Sequence, residues 1–177
     1  MAARTGVTPA FVAPMECTPV DALPDDAAKW LYEVKLDGYR CCAVVHRGIA
    51  MLYSRYGNAW PGRFPTVVAA LAELGESLVI DGELVALDER GLPSFQELQN
   101  WQSTKAPIVF YAFDLVHRAG VDLRRLPIEE RKSQLAEVAT NFRDPLRLAD
   151  PLDADLPTLI ARMKSLGLEG IVAKRRD

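Results

Sequence analysis

Three runs rich in aromatic and β-branched side chains, residues 30–35, 39–46 and 49–54, follow one another with only Leu36-Asp37-Gly38 and Arg47-Gly48 between them. Side chains of that kind suit a pleated, half-buried backbone, and the glycines permit tight reversals. The spacing predicts an antiparallel meander, so the chain has to build its core on a sheet. Strand-like sequence recurs at residues 77–88, where Asp81-Gly82-Glu83 forms a turn between two apolar stretches, and again at 107–116 and 169–174. Helical patterns lie between: residues 64–74, closed by Gly75; a short helix begun by Ser94 after the Gly91-Leu92-Pro93 break; residues 127–138, opened by proline; and residues 156–166, closed by Gly167. The class expected is mixed helix and sheet, with no repeat and no low-complexity tract.

At 177 residues, with 49% hydrophobic and 25% charged side chains, the chain has enough apolar material for one substantial core. Pro9, Pro14, Pro19 and Pro24 exclude a helix at the start. Residues 1–28 are therefore expected to form an extended arm with a poorly ordered beginning, and residues 29–177 a single domain. Cys17, Cys41 and Cys42 lack metal-ligand spacing and read as reduced thiols of a cytoplasmic protein. No apolar run approaches the roughly twenty residues needed to span a bilayer, so no membrane partner is expected. A net charge of −3 argues against strong sequence-independent nucleic-acid affinity, leaving only local patches. Taken singly, the basic clusters Arg124-Arg125, Arg131-Lys132 and Lys174-Arg175-Arg176 read as solvated surface.

The segment Glu33-Val34-Lys35-Leu36-Asp37-Gly38-Tyr39-Arg40 carries the clearest chemistry. A lysine at the end of a strand, just ahead of a glycine turn, has little freedom. Lysine attacks phosphorus only as the free amine, which desolvation or nearby cations such as Arg40 or a bound metal favour; the plainer alternative is an edge-strand lysine in a hairpin. Arg55, just beyond a strand, offers a planar fork to ribose or phosphate, or is a surface arginine. Glu83 and Glu169 come from distant sequence and either converge on a hard divalent cation or pair with lysine or arginine. Alternation places Tyr111 and Phe113 on one strand face. His46 and His117 have no serine or cysteine motif beside them and read as structural.

Lys35-x-Asp37-Gly38-x-Arg40 is followed, in order, by Ser54-Arg55-x-Gly57, Asp81-Gly82-Glu83, Phe110-Tyr111-Ala112-Phe113-Asp114 and Glu169-Gly170-Ile171-Val172-Ala173-Lys174. This ordered set resembles the covalent nucleotidyltransferases, the superfamily of ATP-dependent DNA ligases, RNA ligases and mRNA-capping enzymes. The spellings EGIVAKRRD and PSFQELQ are most similar to bacterial ligases of the end-joining kind. The resemblance implies an α+β, ATP-grasp-like adenylation fold in which antiparallel sheets packed with helices surround an ATP groove. It implies that Lys35 attacks the α-phosphate of ATP to give lysine-AMP. Glu33, whose neighbourhood reads the purine edge, would contact ATP together with Arg40, Arg55, Glu83, Lys174 and Phe113, the last by stacking on adenine. Glu83 and Glu169 would hold Mg2+ or Mn2+. With no P-loop pattern present, the nucleotide would be held by side chains from several strands. The implied partner is nicked or broken duplex DNA during repair, in the bacterial cytoplasm at the nucleoid.

In this family the last matched strand is followed by a strand bearing K-x-K and then an OB-fold, whereas this sequence ends at Asp177. The adenylation domain is expected to be incomplete, either a piece of a longer ligase or a short protein that assembles with a partner. An RNA-ligase or capping relative and a non-catalytic binding module remain as alternatives. The 177-residue chain by itself is expected not to seal nicked DNA, because a nick must be held with its 5′-phosphate in line by a clamp of cations. Nicked duplex, plain or pre-adenylated, incubated with the purified chain and resolved on a denaturing gel should give no joined strand; a joined strand overturns the expectation.

Overall fold

The strand-forming runs divide between two sheets. In this computed structural model, which describes residues 7–20, 24, 26–152 and 156–176, β1 (Trp30–Lys35) pairs antiparallel with β8 (Gly170–Arg175), from the far end of the chain. The larger sheet takes β2 (Tyr39–His46), β3 (Ile49–Ser54), β4 (Leu78–Ala86), β5 (Ile108–Arg118) and β6 (Val121–Asp122) in the order β3-β2-β4-β5-β6, and β7 (Leu146–Leu148) lies parallel to β5. The expected meander is thus only a β2–β3 hairpin, since β1 leaves for the other sheet. Gly38 explains where the chain turns away: a Cβ there would stand 2.1 Å from the Leu84 carbonyl oxygen, so the backbone crosses directly against β4. Residues 1–6, the expected poorly ordered start, lie outside the described residues.

A second expectation is corrected in β4. Asp81-Gly82-Glu83 is not a turn but the middle of an unbroken strand, hydrogen-bonded to β2 on one side and β5 on the other, with every residue from Leu78 to Ala86 buried. Glycine fits there because the Phe110 ring fills the space a side chain would take, its Cζ 2.4 Å from the position of a Cβ. The apparent interruption is therefore a packing device inside a central strand.

Helices α1 (Pro65–Ala72), α2 (Phe95–Gln99) and α3 (Ile128–Ala139) contribute Val67, Leu71, Leu98, Leu135 and Val138 to one core with Cys41, Ala43, Leu52, Ile80, Leu84, Phe110 and Leu115. These strand residues share one face of the large sheet, by the period-two alternation of a strand. Ser94 caps α2 by accepting from the Glu97 backbone N–H at 3.4 Å. Helix α4 (Leu156–Leu166) stops at Gly167, whose φ of +69° lets the chain reverse into β8, and Leu168 N–H bonds the Met163 carbonyl at 3.0 Å. Ahead of β1, Val7 N–H bonds the Gly120 carbonyl at 3.2 Å and Phe11 packs on Tyr53, so residues on both sides of Pro9 rest on the large sheet. A single 3-10 turn, Ala27–Lys29, precedes β1.

The face opposite the core holds the charged side chains of the central strands. It carries Arg40, Asp81, Glu83, Val85, Val109 and Tyr111, with Val85 and Val109 packed against Leu36 and Tyr111. A Cβ at Gly82 would also stand 2.6 Å from the Tyr111 carbonyl oxygen. Because overpacking a tight core typically costs about 1–3 kcal/mol, Gly82→Ala should lower stability by at least about that amount, through the Phe110 ring and the β5 backbone together. A urea titration checks this; a midpoint equal to the parent's would mean that both ring and strand have room to move.

Candidate active site

A break in register builds the site's aromatic element. Asp81 of β4 is opposite Asp114 of β5, yet Gly82 is opposite Ala112, so Phe113 is an extra residue with no partner on β4. Such a bulge bends the strand and re-aims its side chain. Ala112 and Leu115 stay in the core while Phe113 turns its ring to the opposite face, where it is 9% exposed.

Two cations lie against that ring. The Arg40 guanidinium carbon is 4.7 Å from the ring centroid, and Arg40 is held by two bonds to Asp81 of 3.0 and 2.8 Å. The Lys174 ammonium, from β8, is 4.5 Å from the same centroid and 2.7 Å from Glu33 Oε2. Glu33 and Lys174 project from the small sheet, and Arg40 and Phe113 from the large one, so the ring marks where the two sheets face each other. Among candidate contacts, Glu33 is buried and its carboxylate is turned onto lysines rather than left free. Its other oxygen meets Lys132 of α3.

Lys35 ends β1 opposite Gly170, and its ammonium pairs with Glu169. Both side chains are partly exposed and line a cavity of about 260 Å³ with Asp37, Pro93, Gly167 and Leu168. Glu83 of β4 lies directly opposite Arg40 of β2. Among the described residues nothing hydrogen-bonds its carboxylate, and burial pushes its pKa up to about 8, against the pull of Arg40. A buried carboxyl group in that condition lacks a cationic partner in direct contact, and it fits a hard divalent ion. Glu169 is the second oxygen donor near Lys35. Among the described residues no cluster of three or more His, Cys, Asp or Glu side chains could hold a metal alone, so phosphate and water oxygens would have to complete its coordination.

Arg55 stands apart from this group. It lies on the turn after β3 with its guanidinium 4.6 Å from the Tyr56 ring and a hydrogen bond to the Tyr56 hydroxyl. His46 Nδ1 is 2.8 Å from the Ser77 hydroxyl and His117 Nε2 is 3.1 Å from the Val7 carbonyl oxygen, both remote from Lys35 in their contacts.

Four residues outside the expected ligand contacts frame the site: Asp81 and Asp114, which the motifs contain without a role, and Arg131 and Lys132, which the sequence suggests are surface. Arg131 and Lys132 are not solvated surface but 8% exposed each. Arg131 forms two 2.9 Å bonds to the Asp114 carboxylate, and Lys132 adds a 3.0 Å bond to the Ala149 carbonyl. A signal was present, since Arg131 lies three residues after Ile128 and four before Leu135, within the apolar stripe of α3. Lys174 is likewise drawn inward, 18% exposed in its side chain, rather than displayed with a basic cluster.

The family model for the ATP dependent DNA ligase domain matches residues 14–177. The multifunctional non-homologous end joining protein LigD of Pseudomonas aeruginosa is 40% identical over 171 residues, which is 94% of this chain and 20% of that protein. Its namesake in Mycolicibacterium smegmatis is 35% identical over 170 residues, 96% of this chain and 22% of that one. A solved structure of mycobacterial DNA ligase D complexed with ATP and MES superposes with a TM-score of 0.75 at 33% identity, covering 85% of this chain and 50% of that chain. The chain therefore spans about a fifth of the length of these curated relatives.

The state of Glu83 has a measurable consequence. Its pKa is raised from 4.5 to about 8 in the fold. Below about pH 4.5 folded and unfolded chains both carry the neutral acid; above that only the unfolded chain ionises, so stability falls as pH rises and levels off beyond about pH 8. Glu83→Gln cannot ionise and should lose less thermal stability between about pH 6 and about pH 9 than the parent chain. Parallel melting curves across that window check this, and equal losses in the two proteins would contradict it.

Proposed function

The chain belongs to the family of ATP-dependent DNA ligase domains, and on that premise we propose that it carries out the first step of ligation, transfer of AMP from ATP to Lys35. The observation that supports this most is the meeting of Lys35, Glu83, Arg40, Phe113 and Lys174, from five different strands, where the two sheets face each other.

ATP would lie between the sheets with adenine toward Phe113 and the phosphates toward Lys35. The nucleophile is the free amine, so the Lys35 ammonium first gives a proton to solvent water, which reaches both partly exposed members of the Lys35–Glu169 pair. The amine's lone pair then forms the nitrogen–phosphorus bond at the α-phosphate, and the nitrogen loses a second proton to water. The bond from that phosphorus to the bridging oxygen breaks, and its electron pair departs with pyrophosphate. Lys174 and Arg40 supply positive charge beside the α-phosphate, a stabilisation of the kind that gains strength in a poorly hydrated groove. Mg2+ or Mn2+ held at Glu83 and Glu169 would screen the triphosphate and polarise it for attack. In the whole protein the AMP would pass to the 5′-phosphate of a nick or broken end in duplex DNA, as expected for a bacterial end-joining ligase acting in the cytoplasm. Arg55, outside the groove's ring of contacts, is proposed to meet ribose or phosphate through its exposed fork.

The purified chain given radiolabelled ATP and a divalent cation should acquire an acid-labile, alkali-stable AMP adduct that maps to Lys35. Lys35→Ala should abolish it, and GTP should label far less well. Glu83→Ala and Glu169→Ala should each reduce the yield at limiting metal more than they alter melting. Label on another residue, or undiminished label in Lys35→Ala, would refute the assignment. Preferential labelling by GTP would move the chain to the capping relatives.

A further inference from the structure

Arg131 and Lys132 are neighbours on α3, yet each reaches a different sheet. Arg131 closes two 2.9 Å bonds on Asp114 of β5. Lys132 sits on Oε1 of Glu33 in β1 and bonds the Ala149 carbonyl at 3.0 Å, while Oε2 of the same carboxylate takes Lys174 at 2.7 Å. One carboxylate thus lies between two ammonium groups. Side-chain exposure is 5% for Glu33, 9% for Lys132 and 18% for Lys174, so water does little to screen the three charges.

The composition of this triad decides what the groove presents to a ligand. Lys174 touches the Phe113 ring, and Glu33 alone would neutralise it, leaving a pair with no net charge beside the ring. The second cation restores one positive charge to the group, and it does so from α3 through the other oxygen of Glu33, whereas the cations on the Phe113 ring are Arg40 and Lys174. Lys132 has a further tie to Ala149, in the segment after β7, so its position is fixed independently of Glu33.

We propose that Lys132 is a positioning residue for the nucleotide groove: by sharing the Glu33 carboxylate it keeps Lys174 available as a cation above Phe113. The inference rests on the reading that this groove takes ATP. Lys132 need not touch the nucleotide. It acts through Glu33, and its effect is electrostatic rather than steric.

A charge cycle in the full chain tests this, with two readouts: ATP affinity measured by calorimetry in a Lys35→Ala background, where no transfer occurs, and the single-turnover rate of adduct formation with Lys35 present. Lys132→Met makes the triad neutral and should weaken ATP binding and slow adduct formation by about tenfold each, the effect of one unscreened charge of modest strength. Adding Glu33→Gln to Lys132→Met restores one positive charge and should recover most of the loss. Lys132→Arg should behave nearly as the parent. A merely structural role for Lys132 gives the opposite ordering, with the double variant no better than the single one at unchanged melting temperature, and that result overturns the proposal. If Lys132→Met fails to fold, Glu33→Gln alone decides: the proposal requires ATP to bind more tightly as the triad gains charge, and weaker binding overturns it. A parent chain that binds no ATP removes the underlying reading together with this inference. ATP binding by the parent with no response to Lys132→Met removes this inference alone.

Discussion

The two ion pairs that α3 makes with different sheets are the constraint on which the rest of the molecule depends. Arg131 reaches Asp114 on β5, and Lys132 reaches Glu33 on β1. Each carboxylate and each cation is largely removed from water, which is costly for any one of them left alone and tolerable only when all are paired with good geometry. The helix that supplies both cations is itself anchored by Leu135 and Val138 in the main core. Two consecutive residues on that helix thereby tie β1 and β5 to one element. Phe113 on β5 and Glu33 on β1, with its partner Lys174, are positioned by those ties.

Strand irregularities then do what regular pairing would not allow. A β5 strand in strict register would carry each side chain to alternate faces without interruption, and the extra residue at Phe113 shifts the alternation so that Ala112 and Leu115 both remain in the core. The neighbouring Asp114 is freed to meet Arg131. In β4 the glycine between Asp81 and Glu83 admits the Phe110 ring from the core side, while the two carboxylates emerge on the other face. One of them holds Arg40 against the aromatic ring. The other, Glu83, is left without a hydrogen-bonding partner among the described residues, and burial raises its pKa accordingly. The core and the candidate groove are thus two faces of the same three strands, and the small residue in the middle serves both.

Much of the fold was legible in the local sequence. The strand runs of β1, β2, β3, β5 and β8 and the four helices were identified with small differences at their ends, because periodicity, proline and glycine are local signals. Asp81-Gly82-Glu83 looks like a turn for the same reason: a glycine between two acidic residues resembles a reversal when neither the Phe110 ring nor the flanking strands are in view. The site residues fared differently from one another. Lys35, Arg40, Glu83, Phe113 and Lys174 were singled out from an ordered set of motifs, and they gather about one groove. Glu33 was singled out for its neighbourhood, yet its carboxylate is occupied by two lysines. Arg55 stays on an exposed turn beside Tyr56. Arg131 and Lys132 look like surface in sequence because adjacent basic residues on a helix usually are, although the apolar stripe running through Arg131 points inward.

What the sequence determined by itself was the inventory: a sheet-forming chain with short helices, a lysine held at a strand end before a glycine turn, and a family resemblance strong enough to imply nucleotide chemistry. Those are properties of neighbouring residues, fixed by backbone preference and spacing. What only the tertiary structure decided was partnership. That β1 would abandon β2 for a strand some 140 residues later, that Glu33 would face Lys132 and Lys174, and that Glu169 would meet Lys35 are choices among long-range contacts. Local propensity is indifferent to them. They follow from the closure of two sheets around α3, where each buried charge has to find an opposite one, and no stretch of sequence contains both members of the pair.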